Sequence, residues 1–194
     1  MTTIGIDPSL NSTGVCVNSG GKCEYYIVTS KMTKKMKEFK HDSVHYLPYE
    51  KQDTNKKEND YQTIERHKAH NVYNICENIR KIIEETYAKH NEKITVFMEG
   101  VSYGSLGSAA LVDLSGLNFA IRNILLSLPY TDFVIVSPTQ NKKFATGNGS
   151  ADKDLMVFSW KKIETRIADI TEIKTDDLAD AYFLSNYYKA LNVS

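Results

Sequence analysis

Ile4-Gly5-Ile6-Asp7-Pro8-Ser9-Leu10-Asn11-Ser12-Thr13-Gly14 reads as a short strand that ends on a carboxylate. Thr3, Ile4 and Ile6 are β-branched, and Pro8 ends the ladder because it has no N–H to donate. A strand this apolar belongs at the centre of a sheet. An Asp at its end sits half desolvated over a cleft, which is costly unless something positive meets it. Asn11 to Gly14 then turn the chain into a second extended run, Val15-Cys16-Val17.

Working outward, Asn18-Ser19-Gly20-Gly21 is a hairpin turn, and Cys23 to Val28 is a third strand, so the chain opens as an antiparallel meander. Residues 31–60 show no period and read as a Lys-rich long loop or flexible insertion. From about Ile64, the residues Ile64, Val72, Ile75, Ile79, Ile82 and Ile83 share one face of a helix running to about His90. Ile94 to Met98 is a fourth apolar strand, and it too ends on a carboxylate, Glu99. After a Ser/Gly-rich loop, residues 109–128 form a helix with only Asp113 and Arg122 as charges, fit for a core or a subunit interface. Phe133 to Val136 is a fifth strand; Ser137 caps a short helix with Pro138 at its first position, and Ser150 is expected to cap the next, 151–165. A last helix starts at Thr175 or Asp176 and runs to about Leu191. This order predicts one α/β domain over residues 1–194, with a mixed five-stranded sheet, its first three strands antiparallel, and helices on both faces.

Composition sets broad bounds. The 194 residues suffice for one cored domain, and no apolar run is read as approaching the ~20 residues of a membrane span. The N-terminus enters a strand directly, so no targeting peptide is expected and the expected compartment is the cytoplasm. Cys16 and Cys23 could meet across the hairpin, but free thiols suit a reducing compartment better, and the three cysteines have no zinc-like spacing. A net charge of zero argues against a non-specific DNA coat, although charge is segregated: residues 137–166 hold six Lys/Arg against Asp152, Asp154 and Glu164.

Two buried strands thus end in acids, Asp7 and Glu99, and the last helix carries Asp177 and Asp180 three apart on one face. Small Ala179 and Ala181 let that helix approach the strands. Four acids at one place repel, and divalent cations remove the conflict; hard oxygen ligands suit Mg²⁺ or Mn²⁺. Capping and the helix dipole would by themselves account for Asp176 and Asp177, leaving Asp7 and Glu99 as the harder pair to dismiss.

The pattern resembles the RuvC-type Holliday-junction resolvases of the ribonuclease H-like superfamily. GIDPSLNSTGVCV is similar to their first motif, VFMEGV to the second, TGNGSADK to the glycine-flanked lysine motif and DDLADAYFL to the closing motif, in order along nearly the whole chain. The resemblance implies Asp7, Glu99, Asp177 and Asp180 as ligands of two Mg²⁺, with Mn²⁺ able to substitute, and Lys153 with Lys142 or Lys143 on the scissile-strand phosphates. It implies a homodimer through helix 109–128 that cuts four-way DNA junctions by paired nicks. A monomer with helix 109–128 in its core, a broader debranching or ribonuclease H-like nuclease, and a junction-binding protein without cleavage stay open as alternatives. Two features depart from the family pattern. Ser102 stands where the junction-stacking aromatic is expected, shifting that role to Tyr103, and the 31–60 insertion is long. These departures resemble a phage or large-virus member, whose compartment would be the host cytoplasm.

Overall fold

The computed structural model describes residues 1–101, 107–167 and 175–191. Strands β1 (Thr2–Asp7), β2 (Ser12–Ser19) and β3 (Lys22–Thr29) form the expected antiparallel meander, closed by Gly20 and Gly21 at positive φ. Parallel strands β5 (Ile94–Glu99) and β6 (Thr131–Val136) follow β1 on its other side. The sheet has six strands rather than five, in the order β4-β3-β2-β1-β5-β6.

The added strand corrects the reading of residues 31–60 as an unstructured insertion. That stretch holds a short helix α1 (Lys34–Glu38), capped by the Thr33 hydroxyl, and an edge strand β4 (Val44–Pro48) parallel to β3. Too short to show a period, β4 took its place through pairing with β3 rather than through its own pattern. The segment after it is pinned down as well: Asn71 of the following helix exchanges hydrogen bonds with the Gln52 backbone, accepting at 2.7 Å and donating at 3.1 Å.

That helix, α2 (Tyr61–His90), starts at an Asp60 cap and stops at Asn91, whose left-handed φ of 50° ends it. With α3 (Ser108–Ser127) it covers one face of the sheet, burying Ile4, Ile6, Val15 and Val17 against Ile75, Ile79, Leu117 and Ile121. By length and hydropathy α3 is apolar enough to cross a membrane, contrary to the reading that no run comes close. One side of it packs in this core.

The opposite face carries α5 (Lys153–Ile163) and α6 (Asp176–Ser185), joined by Trp160, Leu178, Ala179, Ala181 and Phe183 over Cys16, Tyr25 and Ile27. Helix α4 (Pro138–Thr146) opens with the expected Ser137 cap, reciprocated by Gln140. The cap of α5 is Asp152, not Ser150, because its carboxylate reaches the Leu155 N–H. The last helix is interrupted at Asn186, whose side chain bonds to the Tyr182 carbonyl at 3.0 Å, and resumes only as α7 (Tyr188–Leu191). All three cysteines are free and buried.

Candidate active site

The alternation along β1 sends Ile4 and Ile6 to one face and Thr3, Gly5 and Asp7 to the other, where α6 lies. On that face the Thr3 hydroxyl donates to the Ser185 carbonyl at 2.6 Å. A Cβ on Gly5 would stand 2.0 Å from the Ala181 carbonyl oxygen, and one on Gly14 would stand 2.3 Å from the Asp177 carbonyl oxygen. The glycines of the opening motif therefore admit the backbone of α6 directly onto β1 and β2, a role beyond shaping a turn. Strand β5 places Phe97 on the same face, against Leu184, and so brings Glu99 there too.

The result joins all four acids predicted from the sequence. Burial, then Glu99, Asp180 and Asp177, push the Asp7 carboxyl well above the usual range, with Lys153 opposing. Burial and Asp180 push Glu99 up to about 7, against the pull of Asn141 and Lys142. Burial raises Asp180 to about 6; Lys153 and Lys142 act against it, and Asp176 and Asp177 with it. The Ser12 hydroxyl donates to the Asp177 carboxylate.

Lysines predicted together separate in space. Lys153 ion-pairs with Asp176 at 2.7 Å, so Asp176 does more than begin a helix. Lys142 acts on both Glu99 and Asp180, whereas Lys143, one residue on, is exposed. Ser102 and Tyr103 lie outside the described residues.

Two asparagines escaped the sequence reading. Asn141, fully buried, bonds the Glu99 carboxylate and reaches the Asp180 carbonyl at 3.4 Å. Asn118, also buried, donates to the Glu99 carbonyl at 2.9 Å. The available sign was polar residues inside otherwise helical apolar segments, and it carries no chemistry until the partner is seen.

Among the described residues, no three His, Cys, Asp or Glu side chains are gathered into a group that could hold a metal ion as they stand. The donor set nonetheless suits hard divalent cations: it is all oxygen, and the acids raise one another's pKa, with Lys153 and Lys142 opposing them among the described residues.

These elements form a ribonuclease H-like α/β fold, and the acids lie at one end of its central strands. The fold is that of the RuvC-type Holliday-junction resolvases. The chain is similar to Thermus thermophilus RuvC, with a TM-score of 0.52 and 14% identity over 99% of this chain and 97% of that one. It is similar also to T. thermophilus RuvC in complex with a Holliday-junction substrate, with a TM-score of 0.55 and 15% identity over 99% and 96%. A Fowlpox virus resolvase in complex with substrate Holliday-junction DNA aligns over 100% of both chains at 11% identity and a TM-score of 0.45. No family model and no curated protein sequence matches the chain.

Proposed function

We propose that this chain is a structure-selective DNA endonuclease that resolves four-way (Holliday) junctions by paired symmetric nicks, using two divalent cations, Mg²⁺ with Mn²⁺ as substitute. One observation carries the reading: Asp7, Glu99, Asp177 and Asp180 act on one another at the end of β1 and β5, with Lys153 and Lys142 beside them. A resolvase-like fold supports it.

Those four acids would hold the cations. When bound, such ions supply charge for activating a water and for stabilising the leaving oxygen of a phosphodiester. The chain's own residues prepare the place. Ser12 orients Asp177, Asn141 orients Glu99, and Asn118 fixes the backbone at Glu99. Lys153 is exposed and engaged only at its tip with Asp176, so its ammonium can turn to a phosphate and neutralise charge there.

Paired nicks need two sites, and α3 fits a dimer interface. Val112, Phe119 and Leu126 recur at seven-residue steps on its outer side and are 67%, 61% and 73% exposed. The partner in this reading is a second copy of the chain.

The test is a cleavage panel of four-way, three-way, flap, duplex and RNA–DNA hybrid substrates in Mg²⁺, with both strands mapped. Symmetric nicks in the four-way junction are expected, and Asp7→Asn should bind that junction without cutting it. A hybrid cut faster than the junction would assign a ribonuclease H-like activity instead. Equal cutting of all branches would make it a debranching nuclease, and tight binding with no cleavage in Mg²⁺ or Mn²⁺ would make it a junction-binding protein.

A further inference from the structure

Beside the acid cluster, on the side away from α3, a groove of about 520 Å³ runs between α5 and the first turn of α6. Lys153, Val157, Phe158 and Lys161 line it from α5, and Thr175 and Asp176 from α6. Its volume falls in the range of pockets that take small organic ligands. Lys153 and Asp176 belong to both groove and site, so whatever occupies the groove continues directly to the acids.

The floor of the groove is unusual for a helix surface. Phe158 is 56% exposed, and the Lys162 ammonium lies 4.2 Å from its ring centroid. An ammonium on one ring face leaves the other for a flat, electron-rich partner. Lys161 and Lys162 bring positive charge at the far end, about 12 Å along the helix from Lys153 at 1.5 Å per residue. Among the described residues, Asp154 and Asp176 are the acids that line it, and Asp176 is paired with Lys153. An aromatic surface flanked by lysines is how proteins hold single-stranded nucleic acid: bases stack on the ring, and phosphates follow the charge.

We propose that this groove is a nucleotide subsite that takes the DNA strand next to the scissile phosphate, with an unstacked base on Phe158 and phosphates on Lys161 and Lys162. The subsite rests on the endonuclease reading above. Its occupant is DNA rather than a protein segment, because the groove opens onto the acid cluster and, among the described residues, its apolar lining is Phe158 with Val157 beside it, flanked by lysines.

The experiment uses the full chain carrying Asp7→Asn, so that binding is read without cutting. A four-way junction with 2-aminopurine at each position near the exchange point reports stacking by fluorescence quenching, and anisotropy gives the affinity. Phe158→Ala should abolish quenching at one position and weaken binding about 5- to 100-fold, and Phe158→Trp should restore both. Lys161→Ala and Lys162→Ala should each lower the slope of log K against log salt by about one. Phe158 is largely exposed, so these variants should fold, and thermal melts check that they do. Unchanged quenching, affinity and salt slope in the Asp7→Asn background, while the chain with Asp7 intact cuts junctions, overturn the subsite alone. A wild-type chain that neither binds nor cuts any DNA overturns the subsite and the endonuclease reading together.

Discussion

Glu99→Gln should make the protein more stable and inactive at once. A buried carboxyl whose pKa is raised binds its proton more tightly in the folded state than in the unfolded chain. Its contribution to stability is therefore full at pH below the unfolded value and is lost as pH rises through the folded one. For Glu99 that window runs from the ordinary 4.5 to about 7. At ~1.4 kcal/mol per unit the ionised residue costs on the order of 3 kcal/mol at pH 8. Gln keeps the shape and still accepts the bond from Asn141, so it removes the charge and little else. In a protein of this size 1 kcal/mol moves the melting temperature by ~2–4 °C, which sets an upper expectation of roughly 6–12 °C. The assay is thermal unfolding in chelator at pH 8 and at pH 5, where the advantage should shrink to below about 1 kcal/mol. Adding Mg²⁺ at pH 8 should raise the melting point of the wild type and leave Glu99→Gln nearly unmoved. Asp176→Asn is the control: burial pushes that carboxyl up, but the Lys153 ion pair prevails and holds it low, so its loss should not stabilise. A Glu99→Gln protein that melts at or below wild type in chelator at pH 8 refutes the picture of repelling acids.

Three further outcomes are expected. Gly5→Ala would place a Cβ 2.0 Å from the Ala181 carbonyl oxygen, against backbone that cannot yield cheaply. It should cost about 3 kcal/mol or more, read as a lowered midpoint in urea. Phe119→Glu on the outer side of α3 should yield a folded monomer by light scattering, where the wild type is expected to be a dimer; a wild type that is itself monomeric refutes the interface. Lys142→Ala should slow junction cleavage at least about tenfold, while Lys143→Ala should change it less than about twofold, because Lys142 alone of the two acts on Glu99 and Asp180.

Much of this was legible because the informative residues act locally. Strands β1 and β5 announce themselves by apolar runs ending in an acid, and Asp177 with Asp180 needs only the helical repeat to share a face. Strand β4 was not legible. Its identity comes from hydrogen bonds to β3, a long-range pairing that five mixed residues do not encode on their own. The α5 cap was misplaced because Ser150 and Asp152 are both good caps, and only the carboxylate's reach to Leu155 decides between them. Lys142 and Lys143 were equivalent in the chain, and the step of about 100° between neighbours on α4 made them different. Asn141 was missed because its use depends on Glu99, 42 positions away in the chain and adjacent in space.

Acids that repel do not assemble themselves, so something else must hold this site together. That something is the seat of α6. Two of its acids face two from the strands, and their repulsion works against its docking. Leu178, Phe183 and Leu184 are buried on its underside, and each contributes roughly 1.5–3 kcal/mol. Those three alone exceed the ~3 kcal/mol estimated for ionised Glu99. Register follows from backbone contact: Gly5 against Ala181, Gly14 against Asp177 and Thr3 against Ser185 define one position for the helix along β1. A slip of one residue would drive a Cβ into a carbonyl and turn Asp177 and Asp180 about 100° away from the strands. The motif that opens the chain therefore does two jobs with alternate residues. Asp7 supplies charge to the site, and Gly5 holds in place the helix that brings the opposing charge.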